Sequence, residues 1–248
     1  MKQKLQKRMA RLLTALLAIA VTVCFVPQTG APVYAASTDP AMNLGTEVLN
    51  QNVNTSSPET LWYADETWHV IGYDGGEDGA ASVSGAVTLL SVENLDQTQY
   101  DDSGNYSNVY ANSTLRKKIE GADGATGIID RFSESEQGAI KTRTLVHGSY
   151  NEDEPWNTDC IAGDADLTNV ALWPLSTKEA NAVNESLRIV DPEHTGWATV
   201  SWWLRSPGDI DYSSAIVYGY GDVLYFGFIV RDTYGVRPAF YLNLESVL

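Results

Sequence analysis

Cysteine is almost absent from this sequence, which contains only two in 248 residues. Cys24 lies in an apolar N-terminal run, and without that run Cys160 would be alone and could not form an internal disulfide. Zinc binding is not expected either, because one cysteine and three widely spaced histidines (His69, His147 and His194) do not give the ligand spacing of a zinc site. The sequence therefore predicts a domain held together by its hydrophobic core, with no metal and no cofactor.

Basic residues are also few, with 16 lysines and arginines against 32 aspartates and glutamates. Five of the basic residues lie within residues 1–35, which contain no acidic residue, so the rest of the chain has 11 against 32 and a net charge of −21. Nucleic acids and anionic membranes are bound through lysine and arginine at phosphates, and we expect neither as a partner. We interpret the acidity as favouring solubility outside the cell.

Long apolar runs are absent after residue 26. The run before it, over residues 12–26, follows a basic segment over 1–11 and precedes the small residues Val33 and Ala35. This order predicts a secretory signal peptide over 1–35 that is cleaved after Ala35. The alternative is an uncleaved membrane anchor, but 15 apolar residues are fewer than the roughly 20 that a span requires. We therefore expect a secreted or cell-surface protein with no membrane insertion after cleavage.

Residues 36–58 are polar and are interpreted as a leader or tether, which leaves residues 59–248 as one domain with a sizeable core. Ser133 and Ser176 each precede a glutamate by three residues, the spacing of a capping box that starts a helix. The expected elements are a hairpin over 61–73 that turns at 64–66, a strand over 87–92, helices over 115–120, 133–144 and 176–187, an irregular stretch over 148–170, and strands over 214–218, 222–226, 228–231 and 235–244. The predicted fold class is α+β, with two or three short helices and antiparallel strands that end in a C-terminal meander.

Residues 201–244 begin and end with segments rich in bulky apolar residues. The middle segment, residues 209–234, is rich in Tyr, Phe, Asp, Ser and Gly. We expect Trp202 and Trp203 to anchor the core. Arg205 and Arg237 are expected to form buried ion pairs, for which a planar guanidinium is suited. Gly235 is expected to adopt a positive φ or to allow close packing. These five residues are predicted to act as scaffold.

The motifs at these two ends, WWLRSPG over 202–208 and GVRPAF over 235–240, resemble those of a bacterial family of domains of unknown function, numbered 6273, found on secreted and surface proteins. Weaker matches lie upstream, at 68–70, 87–90, 113–116 and 175–180, so that the resemblance covers roughly residues 60–244. That family is similar in turn to C-type-lectin-like folds, including formylglycine-generating enzymes and the variable proteins of diversity-generating retroelements. The resemblance implies a C-type-lectin-like fold for residues 59–248.

The middle of the stretch, residues 209–234, contains seven aromatic residues, whereas the chain-wide share of 10% predicts about three. Tyrosine mixed with serine, glycine and aspartate is typical of adaptable binding loops. The alternative is that many of these rings face the core, because aromatic residues favour strands. The predicted ligand-binding residues are Asp209, Asp211, Tyr212, Ser213, Tyr218, Tyr220, Asp222, Tyr225, Phe226, Phe228, Arg231, Asp232 and Tyr234.

Residues 209–234 lack lysine, glutamate, glutamine, methionine and tryptophan. Changes at the adenines of an Asn codon reach Asp, Tyr, Ser, Gly, Ile, Leu, Phe, Arg, Thr and Val, but none of those five types. Adenine-directed diversification by a retroelement would explain the pattern. The alternative is an ordinary family member with tyrosine-rich strands, since glutamate and lysine are poor strand formers.

Catalytic motifs are few. A Gly-x-Ser-x-Gly elbow is absent, and formylglycine-type oxidation uses two cysteines, so an enzyme is not expected. Acidic stretches at 152–154, 164–166 and 209–211 leave open a glycosidase-like hydrolase with a carboxylate pair or a bound calcium, although solvated loops are the simpler interpretation. The predicted function is binding of an unknown glycan or surface-protein ligand. A secreted hydrolase and a structural wall-associated module remain the alternatives.

Overall fold

The computed structural model describes residues 60–74, 86–190, 200–243 and 246. The predicted signal peptide over 1–35 and the leader over 36–58 lie outside these residues. The strands are β1 (Thr60–Tyr63), β2 (Glu66–Asp74), β3 (Ala86–Ser91), β4 (Asp96–Gln99), β5 (Ile140–Lys141), β6 (Arg143–Leu145), β7 (Leu167–Val170), β8 (Trp173–Pro174), β9 (Trp202–Pro207), β10 (Ser213–Val217), β11 (Val223–Ile229), β12 (Thr233–Val236) and β13 (Pro238–Asn243). The α-helices are α1 (Thr114–Glu120), α2 (Glu134–Gly138), α3 (Thr177–Ala182) and α4 (Glu185–Arg188), and short 3₁₀ turns lie at Tyr110–Asn112, Ala122–Gly124, Ile128–Arg131 and Pro155–Asn157. The predicted α+β class is confirmed.

Two larger sheets organise the domain. The first has the order β1-β2-β3-β13-β5, with β8 also paired to β13, and the second has the order β11-β10-β9-β12-β4. Nearly all pairs are antiparallel, and the exception in the second sheet is β12, which runs parallel to β9. β6 and β7 form a separate small sheet. The chain passes from the second sheet to the first at Arg237, between β12 and β13.

Aromatic rings fill the core beneath each sheet. In the first sheet the buried ring of Trp68 meets Phe240 edge-on, with centroids 4.8 Å apart. In the second sheet Trp203 lies between Tyr100 at 5.5 Å and Tyr234 at 4.8 Å. Trp202 and Trp203 are both fully buried, so these two residues lie in the core as predicted.

Turns and helix caps were predicted correctly where residues that are close in sequence form the structure. The hairpin of β1 and β2 turns at Ala64 and Asp65, which both have positive φ, as a two-residue turn between twisted strands requires. Ser113 caps α1 by accepting a hydrogen bond from the Arg116 amide.

Two helix lengths were predicted wrongly. The helix expected over 133–144 ends at Gly138, because Ile140 and Lys141 pair with β13 instead. The helix expected over 176–187 is broken by the extended Val183, after which Asn184 caps α4 through the Ser186 amide. In both places a cap or a sheet partner ends the helix.

The C-terminal strands also differ from the prediction. The strands expected over 222–226 and 228–231 are one strand, β11, because Gly227 adopts φ 81° at a bulge opposite Ser214 and does not form a turn. The strand expected over 235–244 is divided at Arg237, where the chain changes sheets. The antiparallel meander therefore covers β9, β10 and β11 only. β7 pairs with β6 at the end of the stretch that was expected to be irregular.

Arg205 forms the buried ion pair that the sequence predicted. Its guanidinium donates to both carboxylate oxygens of Glu179, to Asp159 Oδ1 at 2.7 Å and to the Pro174 carbonyl at 3.1 Å. Glu179 also accepts a hydrogen bond from Arg143 at 2.6 Å. Glu179 occupies position N3 of α3 and closes its capping box, so this ion-pair network joins that helix to β9 and β6.

Arg237 acts differently from the prediction, and Gly235 follows the second of the two predicted reasons. Among the described residues Arg237 has no carboxylate partner. Its guanidinium donates to the carbonyls of Ser91 (2.7 Å) and Leu187 (2.7 Å), among others, and lies 5.0 Å from the Trp202 ring centre. Burial lowers the pKa of Arg237 to about 9, so it is still charged at neutral pH. Gly235 does not have a positive φ; a Cβ there would lie 2.1 Å from Asn94 Cγ, so close packing is the reason for the glycine.

Acid is expected to weaken the fold through Glu179. Burial by itself raises the pKa of this carboxyl, but the charge and hydrogen bonds of Arg205 outweigh burial and hold the pKa at about 2, below the ordinary 4.5. A lowered pKa contributes stability above about pH 4.5, and that contribution is lost as the pH falls towards 2. The difference corresponds to about 3 kcal/mol.

The measurement is urea unfolding between pH 6 and pH 2 for the wild type and for Glu179→Gln. The variant is expected to show a shallower fall in unfolding free energy over this range. Parallel curves for the two proteins would contradict the assignment.

Candidate functional site

The predicted binding residues are mostly at the surface. Asp209, Asp211, Tyr212, Tyr220, Asp222, Phe226, Arg231 and Asp232 are exposed, and Tyr218, Tyr225 and Phe228 are half-buried. Ser213 and Tyr234 are buried, and for them the expectation of a surface position is corrected. Ser213 Oγ lies 3.1 Å from the Ile210 carbonyl and 3.3 Å from the Phe226 carbonyl, so it holds the loop over 209–212 against β11. The buried ring of Tyr234 packs against the half-buried Phe228 and supports the exposed residues around it.

A line of contacting rings, which we call the aromatic row, runs from solvent into the core. It consists of Tyr220, Tyr218, Phe228, Tyr234 and Trp203. Tyr220 stacks nearly parallel on Tyr218 at 5.4 Å, and the next three centroid distances are 5.7, 5.7 and 4.8 Å. The exposed fraction is 56% for Tyr220, 9% for Tyr234 and zero for Trp203. The outer rings thus present an apolar surface with hydroxyl groups, fixed on buried rings.

The tip of the β10–β11 hairpin is held in place by the helix beside it. The turn is closed by hydrogen bonds of 2.8 Å from the Tyr218 amide to the Asp222 carbonyl and from the Gly221 amide to the Tyr218 carbonyl. Gly221 has φ 95°, and a Cβ there would lie 3.2 Å from the Glu185 carbonyl of α4. Because the turn packs against α4, the outer tyrosines are positioned before any ligand arrives.

A second surface, which we call the acidic groove, lies between three loops and encloses about 870 Å³. Its carboxylates are Asp209 and Asp211 from the predicted site, together with Glu152 and Asp164. Tyr150 also lines the groove; burial raises the pKa of Tyr150, and the nearby charge of Asp209 raises it further. The described lining contains no lysine or arginine, so the groove favours neutral or cationic groups.

The acidic loops are not arranged as a metal site. In the part of the chain that the structure describes, no three His, Cys, Asp or Glu side chains are grouped so that they could hold a metal ion. Cys160 is a half-buried free thiol, and burial raises its pKa. The hydrogen-bonding groups that line the acidic groove are thus carboxylates, the Tyr150 phenol and side-chain amides.

A third surface, which we call the tyrosine cleft, is lined by Asn105, Tyr106, Tyr212, Ile229 and Arg231 and encloses about 310 Å³. The Arg231 guanidinium carbon lies 5.8 Å from the centre of the Tyr106 ring. Only Tyr212 and Arg231 of this group were predicted from the sequence. Asn105, Tyr106 and Ile229 carried no local signal, because they join the site only through contacts that are distant in sequence.

The fold and these surfaces define an α+β domain with two largely antiparallel sheets, whose β10–β11 hairpin presents exposed aromatic rings. Residues 84–244 match the family model described as Domain of unknown function (DUF6273), and the chain belongs to this family. No curated protein and no solved structure matches the chain. No helix among the described residues has both the length and the apolar character to cross a membrane.

Proposed function

We propose that this domain is the glycan-binding module of a secreted or surface-exposed protein. One observation carries the proposal. Of the nine large apolar side chains that are exposed in the described residues, five lie within residues 209–234, namely Ile210, Tyr212, Tyr220, Phe226 and Ile229. Exposed apolar clusters with polar rims are typical of interaction sites.

The chemistry of the three surfaces favours a glycan over a purely apolar ligand. Tyrosine rings offer flat apolar contact and a hydroxyl group for hydrogen bonding. The carboxylates and amides of the acidic groove accept and donate hydrogen bonds to hydroxyl groups. A sugar ring has an apolar face and a rim of hydroxyls, so it complements both kinds of surface.

Two further parts of the proposal rest on the sequence. Export rests on the basic, apolar and small-residue order of residues 1–35. A C-type-lectin-like fold rests on the resemblance of the motifs at 202–208 and 235–240, and the α+β architecture supports it. The family match over residues 84–244 concerns the family alone and adds no function.

The acidic groove supports a second candidate, glycoside hydrolysis. That reaction needs two carboxyl groups on either side of the scissile bond, and the groove holds four. Hydrolysis would shorten an oligosaccharide, whereas binding leaves it intact. Mass spectrometry of the bound oligosaccharide therefore separates the two candidates, and shortening that disappears in Asp209→Asn would identify a hydrolase.

Replacing Tyr220 by alanine is expected to weaken oligosaccharide binding by at least about tenfold, because tyrosine is among the residue types most often found as hot spots of binding surfaces. The measurement uses neutral oligosaccharides on an array, with protein recovered from the medium of cells that express the whole chain; its N-terminus is expected at or near Ala36. Trp62→Ala is the control, since Trp62 is also exposed but lies on β1 of the other sheet. Unchanged binding by Tyr220→Ala, or an equal loss in the control, would contradict the proposal.

A further inference from the structure

Arg231 is an exposed guanidinium without an acidic partner. In a chain with twice as many acidic as basic residues, no carboxylate among the described residues lies within ion-pair distance of it. Arg116 and Arg131, by comparison, pair with Glu120 at 3.3 Å and Glu66 at 3.4 Å. The described contact of the Arg231 side chain is with the ring of Tyr106, a cation–π arrangement. The N–H edge of the guanidinium, which binds carboxylates, therefore remains available to a ligand.

The tyrosine cleft around Arg231 has the size and lining of a small-ligand subsite. Its 310 Å³ is at the lower end of the range for small-molecule pockets. Tyr106, Tyr212 and Ile229 supply apolar surface, and all three are substantially exposed. Asn105 adds an amide that both donates and accepts hydrogen bonds. The cleft thus combines one positive charge with apolar walls and one polar amide.

Buried polar groups hold the wall that carries Tyr106. Asp101 is nearly buried and accepts hydrogen bonds from the Ser103 amide (3.0 Å), the Ser103 hydroxyl (2.8 Å) and the Ser107 amide (2.8 Å). The loop between these residues places Tyr106 at φ 53°, a left-handed conformation that is uncommon for a bulky residue. A strained residue that its surroundings fix in place is frequent at ligand sites.

Hydrogen bonds also fix the two other walls of the tyrosine cleft, which carry Tyr212 and Arg231. Asn108 is also nearly buried; its side chain donates to the carbonyls of Ile210 at 3.2 Å and Ser213 at 2.9 Å, which fixes the loop that carries Tyr212. The Arg231 carbonyl accepts a hydrogen bond from Gln99 Nε2 at 2.5 Å. The cleft is therefore formed before binding, and a ligand does not have to order it.

From these observations we propose that the tyrosine cleft is a subsite for a carboxylate-bearing sugar, a hexuronic acid residue of an acidic glycan. Arg231 donates to the carboxylate in the bidentate geometry that a guanidinium favours. Tyr106 and Tyr212 contact the sugar ring, and Asn105 binds a hydroxyl group. This proposal rests on the proposed glycan binding and deepens it by naming the ligand class.

The test compares oligogalacturonate with its methyl ester, which removes the charge and keeps the ring. Affinities are measured by calorimetry on the whole protein. The acid is expected to bind on the order of tenfold or more tightly than the ester, the usual effect of a hydrogen bond to a charged group. Arg231→Gln is expected to remove this preference, so that acid and ester bind with equal affinity, and Arg231→Lys is expected to keep part of it. Arg131→Gln, an exposed arginine outside the cleft, is the control and should keep the preference.

Each of the other possible results of these binding measurements overturns either the subsite proposal alone or both proposals. Equal affinity for acid and ester, or a preference that survives Arg231→Gln, overturns it. If neutral oligosaccharides bind in a Tyr220-dependent way but the uronate is not preferred, the subsite is wrong and the proposed function stands. If no oligosaccharide binds, both fail. Binding of a peptide with a free C-terminal carboxylate that depends on Arg231, without uronate binding, assigns the cleft to peptides and overturns the sugar assignment. Circular dichroism of each variant confirms that the comparison is between folded proteins.

Discussion

Replacing Arg205 by alanine is expected to lower the free energy of unfolding by about 3–5 kcal/mol, the usual result of removing one partner of a buried ion pair. The Arg205 side chain is almost fully buried, and it binds Glu179, Asp159 and the Pro174 carbonyl. Without it, Glu179 keeps only Arg143 as a charged partner among the described residues. The same change disconnects α3 from β9, so the loss combines an uncompensated charge with a loosened contact.

Denaturant unfolding measures this effect, and Arg131→Ala is the matched control. Arg131 pairs with Glu66 at the surface, where both side chains are about a third or more exposed, so its removal is expected to cost less than about 1 kcal/mol. The double variant Arg205→Met with Glu179→Gln is expected to recover part of the stability, since it removes the buried guanidinium together with the carboxylate that it pairs with. A loss for Arg205→Ala no larger than that of the control would show that the ion-pair network does not stabilise the fold.

Truncating Trp203 to alanine is expected to cost about 3–5 kcal/mol, because it removes the largest ring of a packed core. Trp203 is fully buried, its Nε1 donates to the Thr98 carbonyl at 2.9 Å, and its ring contacts Tyr100 and Tyr234. The change also leaves that carbonyl without its indole donor. Trp203→Phe keeps most of the volume and is expected to fall between the wild type and the alanine variant.

Tyr220→Ala is the matched comparison at the other end of the aromatic row. It removes an exposed ring and is expected to change the unfolding free energy by less than about 0.5 kcal/mol. Thermal unfolding and oligosaccharide affinity, measured on the same two variants, separate the supporting end of the row from the contacting end. If Tyr220→Ala were as destabilising as Trp203→Ala, the outer rings would belong to the core and the binding surface would be wrongly placed.

Local signals in the sequence were sufficient where neighbouring residues decide the structure. Ser133 and Ser176 cap helices as their spacing indicated, and the turn at Ala64 and Asp65 follows from its flanking strands. Helix ends were not predictable, because partners distant in sequence decide them. Ile140 leaves its predicted helix to pair with Leu242, which is 102 residues further along the chain.

The candidate site shows the same limit. Its aromatic composition was visible in the sequence, but the division of residues 209–234 into buried and exposed positions was not. β10 is buried along its whole length, which places Ser213 inside. The tyrosine cleft brings Tyr106 next to Tyr212, a contact that depends on Asp101 and Asn108. Pairings across such a distance leave no pattern in a single sequence.

The proposed diversification of residues 209–234 would act on a stretch that is only partly at the surface. Variation at residues 209–212 and 218–233 would mostly change exposed or half-buried side chains, whereas variation within β10 would disturb the core. The proposal concerns the gene and is tested there, by looking for a reverse transcriptase gene beside a near-copy of the 3′ end.

The sheet order has a consequence for how the chain reaches its native state. The last two strands, β12 and β13, lie inside their sheets: β12 between β9 and β4, and β13 between β3 and the pair β5 and β8. Neither sheet is complete until residues 233–243 have been synthesised. Pairings of this kind give a high contact order and slow folding, typically milliseconds to seconds. An unfinished chain therefore lacks an inner strand of each sheet, which would suit the proposed export of a polypeptide that is still unfolded.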